Sequence, residues 1–285
     1  MKVTVLGASG FIGRHLRTAL AARGDQVAEA SLRDVDAAAR ACENADALVN
    51  LSGENVAQRW TPDVKARIRS SRVDAPRVLI GRLRNAASPP KVYVSASAIG
   101  YYGTSETATF VEASPPGDDF LARVCVDWEA EAARAAEFGA RVTRVRMGLV
   151  LGTDGGAMAR ILPMFRLGAG GVVASGRQWY SWIHVDDVVA IYLDAIDRLE
   201  GPVNATAPNP VQNAEFTRVL AHALHRPAVA RVPEFALRMM LGEGASVATQ
   251  GQRVIPERTL AFGYRFKFTE LEAALGDLVA KTSGA

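Results

Sequence analysis

Three glycines at three-residue spacing, Gly7, Gly10 and Gly13, constrain this chain more than any other feature. Before them, Val3 to Leu6 is a short apolar run that reads as a buried β-strand. After them, Arg14 to Arg23 reads as a helix. A strand, a tight glycine turn and a helix start make an anion site from backbone alone. The unpaired N–H groups of the first helical turn and the positive end of the helix dipole face whatever sits there. Gly7 permits the turn, Gly10 lets the backbone approach a pyrophosphate, and Gly13 lets the helix lie close on the strand. Ser9, Phe11 and Ile12 belong to the same segment and share the assignment.

The 285-residue chain is long enough to bury a sizeable core in one large domain or two interlocked ones. No apolar run reaches the roughly 18 residues needed to cross a bilayer. Two cysteines, Cys42 and Cys125, give neither a disulfide framework nor metal-ligand spacing, so a reducing cytoplasm is expected, with no metal. A net charge of +3 from dispersed basic residues does not argue for nucleic acid.

Alternation of strands and helices predicts a doubly wound α/β fold with a parallel sheet, the Rossmann arrangement. Gln26 to Ala30 reads as the second strand, with Ser31-Leu32-Arg33 at its tip. An acid at that tip favours NAD, whereas a small polar residue followed by Arg favours the 2′-phosphate of NADP. Ser31 and Arg33 therefore point to NADP, with NAD left open. Asp46 to Leu51 reads as the third strand, and Leu51, Ser52 and Gly53 lie at its carboxyl end, where open α/β sheets bind ligands. Pro62 to Ala87 reads as one long helical stretch, on which Arg72 could reach a phosphate. Lys91 to Ser95 is a fourth strand. It brings Ser95, Ser97, Tyr101 and Tyr102 to the same edge, Ser95 for the cofactor and the other three to polarise a carbonyl or move a proton.

These segments resemble the extended short-chain dehydrogenase/reductase superfamily. Gly7 to Gly13 match its glycine motif, Ser95 to Gly103 its serine–tyrosine segment with one extra residue, and Trp182 to Asp187 its late hydrophobic-His-Val-Asp-Asp signature. More narrowly, Val49 to Asn55, Arg59-Trp60-Thr61, Ser71-Arg72, Asn204 to Pro210 and Gly251 to Pro256 resemble the atypical epimerase-family branch, also labelled sugar-nucleotide epimerase-like or cell-division-inhibitor-like. The resemblance implies NADP binding, a small-molecule substrate, and oxidoreductase or epimerase chemistry. Typical members carry a Tyr-x-x-x-Lys pair one helical turn apart, the lysine lowering the tyrosine pKa. Here that pair falls near Leu121 and Cys125, and residues 117–129 contain neither tyrosine nor lysine. Three replacements stay open: Tyr101 or Tyr102 with Ser97; Asp118, Asp119 or Arg123; or no chemistry, in a protein that binds a nucleotide for regulation or redox sensing.

Residues 1–207 are expected to form the nucleotide domain, with an excursion near 155–180, and 208–285 a small, mostly helical lobe closing over the substrate. Gln178 to Trp182 reads as a substrate wall, His184 as a structural residue at a helix entry, and Arg258 to Phe268 as partly strand. Leu237, Met239, Met240 and Leu241 read as core packing, with a pocket lining or a homodimer contact as alternatives.

Overall fold

The computed structural model describes residues 1–283. Its centre is a sheet of six parallel strands: β1 (Lys2–Leu6), β2 (Gln26–Ala30), β3 (Ala47–Asn50), β4 (Val92–Ala98), β5 (Arg141–Met147) and β6 (Gly201–Ala205). The spatial order is β6-β5-β4-β3-β1-β2. The order reverses at β1, whose neighbours are β2 and β3, so the crevice of the doubly wound fold opens between the carboxyl ends of β1 and β3. Both faces are covered, and the strands accordingly read as near-continuous apolar runs. On one face Val3, Val5, Val49, Val94, Val145 and Val203 pack against α1 (Phe11–Ala22) and, later in the chain, the helix Val185–Asp197. On the other, Leu6, Leu48, Tyr93 and Val142 pack under α2 (Val35–Cys42) and neighbouring helices.

The stretch expected as one long helix is two, α3 (Pro62–Ser70) and α4 (Asp74–Leu83), with Ser71–Val73 between them. Thr61 caps α3 through its side chain, and Pro62 sits at the first helical position, where its missing N–H costs nothing. Asp119 caps α5 (Phe120–Ala133) in the same way, by accepting from Ala122 N at 2.8 Å. After β5, the run Leu149–Leu151 does not prolong that strand. It pairs in parallel with Trp182–His184 as a separate ribbon. Then come α6 (Met158–Arg166), α7 (Val185–Asp197), α8 (Asn213–Ala223) and α9 (Glu234–Leu241). His184 caps α7 by accepting from Asp186 N at Nδ1. The ring proton is therefore on Nε2, which lies 3.2 Å from Asp277 Oδ2 but off the hydrogen-bond line.

Every described strand beyond residue 208 pairs with a strand earlier in the chain: Val211–Gln212 with Trp179–Tyr180, Ala230–Val232 with Gly171–Val173, and Arg253–Val254 with Thr109–Phe110. Three readings change here. Glu257–Ala261 is a short helix, not strand. Gln178, Ser181 and Trp182 are buried, and Trp182 packs with α8 in a second core, so this segment is a seam more than a wall. Met239 and Met240 are 72% and 69% exposed and Phe235 67%, so α9 contributes little to core packing. Leu237 and Leu241 of the same helix are half-buried.

Candidate functional site

The glycine turn sits at the reversal point of the sheet. Gly7 has φ +79°, and a Cβ there would lie 3.1 Å from Leu51 C and 3.2 Å from Ser52 N. The β1 turn and the β3 loop thus meet backbone to backbone. A Cβ on Gly13 would fall 2.3 Å from Gly7 O, which forces glycine where α1 leaves the strand. Gly10, exposed at the N-cap of α1, is different. A Cβ there would meet only Gly7 O, at 3.1 Å, and otherwise open space. Ser9 is exposed, and Phe11 and Ile12 are half-buried at the start of α1. Three later glycines, Gly152, Gly155 and Gly156, cradle the Phe11 ring, which their Cβ atoms would strike. Asp154 in that loop accepts from Arg14 and lies 3.0 Å from His15 Nε2. The loop is therefore fastened to α1.

At the tip of β2, Ser31 and Arg33 are exposed, and Ser31 Oγ accepts from Arg33 N at 3.2 Å. The Arg33 side chain has no partner among the described residues. The nearby acids are already used. Glu29 pairs with Arg17 at 2.8 Å, and Asp34 caps α2 by accepting from Ala37 N. Across the crevice, Leu51 and Ser52 are half-buried and Gly53 is exposed. Arg72 reaches up from the α3–α4 break beneath Gly53. Ser95 is buried, its hydroxyl donating to Ala96 O, and so offers the crevice no side-chain group.

Beyond the crevice lies a row of polar groups that register alone puts together. Ser97 of β4 pairs with Arg146 of β5, and Arg146 with Asn204 of β6, all on the face covered by α5. Glu129 descends from α5 onto them. Ser97 Oγ donates to Glu129 Oε1 at 2.7 Å, and Arg146 meets both Glu129 oxygens at 2.7 and 2.8 Å. Arg146 Nη1 donates to Tyr102 OH at 2.9 Å, and Tyr102 OH donates to Asn204 Oδ1 at 2.7 Å. Asn204 N and Thr259 N in turn donate to the buried Glu112. All these groups are buried. Desolvation opposes the Arg146 charge, but the hydrogen bonds it donates to Glu129 and Tyr102 outweigh that and hold its pKa above arginine's ordinary value. Burial pushes Tyr102 up to about 12.

Of the three sequence-derived proton-transfer candidates, Ser97 and Tyr102 thus donate to protein acceptors within this network. Tyr101 is half-buried, its ring centroid is 3.5 Å from the Arg146 guanidinium carbon, and its hydroxyl has no partner among the described residues. Asp119 is committed as a cap, and Arg123 donates to Asp118 O. Cys125 is buried, and desolvation pushes its thiol up to about 12, which removes it as a nucleophile. Sequence reasoning missed Glu129, Arg146, Asn204 and Glu112. The alternation Arg144-Val145-Arg146 on a strand with both faces covered was the signal, since a charge there requires a partner.

Strand order, the glycine turn at the reversal point and this row define a Rossmann-fold protein of the extended short-chain dehydrogenase/reductase type. The chain belongs to the NAD dependent epimerase/dehydratase family, whose model matches residues 3–208. A domain of unknown function, DUF1731, matches residues 232–278. Within the family, the chain is similar to the human epimerase family protein SDR39U1, 39% identical over 98% of this chain and 100% of that protein. It is 41% identical to the chloroplastic SDR39U1 homolog of Arabidopsis thaliana, over 96% of this chain and 86% of that protein. The crystal structure of human SDR39U1 (isoform 2) with NADPH superposes with a TM-score of 0.92 at 37% identity, over 98% of this chain and 99% of that one. The UDP-glucose 4-epimerase of Thermotoga maritima shares the fold, with a TM-score of 0.82 at 18% identity, over 100% of this chain and 99% of that one. No described helix is long and apolar enough to cross a membrane.

Proposed function

We propose that this chain is an NADP-dependent oxidoreductase or epimerase-like enzyme acting on a small molecule. The observation that carries the cofactor reading is the β1–β3 crevice, where Gly10 faces open space at a helix N-terminus. The pyrophosphate would sit on the Gly7–Gly13 turn, with Ser9, Phe11 and Ile12 supplying backbone around it. The adenine ribose 2′-phosphate would meet Ser31 and the unpaired Arg33. Leu51, Ser52 and Gly53 would border the middle of the cofactor, and Ser95 would support that edge from beneath. The NADPH carried by the human relative supports the choice between the two nicotinamide cofactors.

For proton transfer, Tyr101 is the residue assigned, because its hydroxyl is free and a cation lies against its ring. Packing against the guanidinium fixes the phenol ring in place and leaves its hydroxyl for a substrate oxygen. Ser97 and Tyr102 act one step back, by fixing Arg146. The substrate would lie between the sheet edge and the C-terminal lobe, which touches the β3 loop where Trp60 N donates to Leu241 O and Arg59 to Met239 O. The test is a metabolite screen read by NADPH oxidation, repeated with Tyr101→Phe. A substrate turned over by the native chain and at least a hundredfold more slowly by the variant supports the assignment. Equal rates refute it.

A second reading, a catalytically silent dinucleotide-binding protein, is favoured by Leu121 and Cys125 at the places of the missing pair. It predicts NADPH binding with no turnover of any compound in the same screen.

A further inference from the structure

Arg72 is a half-buried cation that forms no ion pair among the described residues. It stands in the Ser71–Val73 break between α3 and α4. The break is fixed on both sides. Ser71 Oγ accepts from Glu54 N at 3.0 Å, and Arg69 spans Asp74 at 3.0 Å and Asp127 of α5 at 3.2 Å. Arg72 donates through Nη1 alone, to Glu54 O at 2.9 Å and Ile68 O at 3.3 Å. Its Nε and Nη2 have no partner, and no carboxylate pairs with it, among the described residues. Its guanidinium carbon lies 5.2 Å from the Trp128 ring, and Trp128 Nε1 is itself buried without a partner. Cys125, at the lysine's place, and the Glu54 carboxylate are both close enough to feel the Arg72 charge, although neither pairs with it. A cation without a carboxylate partner, beside a buried indole N–H that has none either, leaves donors for an acceptor that arrives from outside.

The unmet groups are all donors: two on Arg72 and one on Trp128. They call for oxygen acceptors. Their place is the carboxyl edge of β3, beside Gly53, whose Cβ would stand 2.9 Å from Arg72 Nη2. A dinucleotide with its adenine ribose at Ser31 and Arg33 and its pyrophosphate on Gly10 extends along the edge past β1. Its second ribose then falls at β3. We propose that Arg72 holds the hydroxyls of the nicotinamide ribose, supplying from the α3–α4 break the positive charge that typical relatives supply from α5. This rests on the dinucleotide reading given above.

Calorimetric titration with two ligands separates the possibilities. NADPH carries both halves of the cofactor, whereas adenosine 2′,5′-bisphosphate lacks the nicotinamide riboside. Arg72→Met should weaken NADPH at least tenfold and leave the bisphosphate within twofold, and Arg72→Lys should recover part of the loss. Gly53→Ala, which crowds Nη2 without removing the charge, should show the same selective loss and serves if Arg72→Met does not fold. Equal losses for both ligands would mean a merely structural arginine and overturn the assignment, as would unchanged NADPH affinity. If the native chain binds neither ligand, the dinucleotide reading falls first and this assignment falls with it.

Discussion

The glycine turn makes two substitutions three residues apart behave differently, and the structure gives the sizes. In Gly13→Ala the new Cβ would lie 2.3 Å from Gly7 O and 2.8 Å from Ala8 Cα and O, all backbone. None of these atoms can rotate away, so the helix must lift from the strand. Overpacking of this kind costs about 1–3 kcal/mol, and contact with backbone alone puts it at the upper end. Alanine returns up to about 1 kcal/mol in helix propensity. A net loss of about 2 kcal/mol remains. For 285 residues the unfolding entropy is roughly 0.6 kcal/mol/K, so the apo Tm should fall by about 3 °C. In Gly10→Ala the Cβ meets only Gly7 O at 3.1 Å, and the backbone, at φ −70° and ψ 170°, suits alanine. Its apo Tm should stay within about 1 °C, a change near 0.5 kcal/mol. With NADPH the gap between them closes. At a hundred times Kd a ligand stabilises by about 2.7 kcal/mol, and a tenfold loss of affinity removes about 1.4 of it. Gly10→Ala should therefore lose roughly half of the NADPH-induced Tm shift. Scanning fluorimetry of both variants, with and without NADPH, decides the matter. A Gly10→Ala chain that melts below Gly13→Ala without ligand, or keeps the full native shift with it, would refute the pyrophosphate assignment.

Other outcomes follow from the same geometry. Arg33→Glu should cut the NADPH-to-NADH affinity ratio at least tenfold by calorimetry; an unchanged ratio would leave Arg33 a solvated loop charge. Tyr102→Phe breaks hydrogen bonds to Arg146 and Asn204 and should cost about 1–3 kcal/mol, whereas Tyr101→Phe should melt within about 1 °C of native. The reverse order in a melting series would mean that the two tyrosines have been assigned the wrong way round. Desolvation lowers the His184 pKa below its ordinary value near 6.5, against the pull of Asp186 and Asp277. The unfolded chain therefore takes up that proton first as pH falls, so stability is full above about pH 6.5 and drops below it. Chemical denaturation from pH 7.5 to 5.5 should show a steeper loss in the native chain than in His184→Asn, which keeps a capping side chain; parallel slopes would exclude His184 as the source.

What the sequence revealed and what it hid divide along a physical line. Strand and helix periodicity and the glycine turn are local, and each is visible within a dozen residues. The break at Ser71–Val73 did have a local mark, Pro76, whose missing N–H and ring oppose a helical bond to Arg72 O. Ser71 and Arg69 then hold the break by bonding to Glu54 N and to Asp127 of α5. The helix Glu257–Ala261 was hidden because a distant contact holds it. Its first residues place Arg258 N and Thr259 N on the Glu112 carboxylate, a contact spanning well over a hundred residues. In the candidate site, the crevice was legible and the proton-transfer residues were not. Residue type identified Ser97, Tyr101 and Tyr102 together, and only cross-strand register shows which hydroxyls are already engaged.

That register changes what the missing Tyr-x-x-x-Lys pair means. Had the pair simply been lost, the buried face beneath it would be expected to turn apolar, since a well-packed apolar core is often at least as stable as a buried ion pair. Instead the face carries Glu129 and Arg146 in a two-point pair, with Ser97, Tyr102, Asn204 and Glu112 satisfying the remaining groups. Glu129→Gln should accordingly cost about 3–5 kcal/mol by leaving Arg146 unneutralised, against about 1 kcal/mol for Ser97→Ala. The network also fastens Thr259 and the C-terminal segment to the sheet, so it sets the lobe over the crevice. The Arg146 guanidinium also packs against the Tyr101 ring, whose hydroxyl has no partner among the described residues. A Tyr101 hydroxyl without a partner and an Arg72 with two unpartnered donor atoms, among the described residues, are arranged for a ligand that brings the missing oxygens. If Glu129→Gln unfolds the lobe yet leaves NADPH affinity unchanged, the network serves stability alone, and the link between it and the crevice is broken.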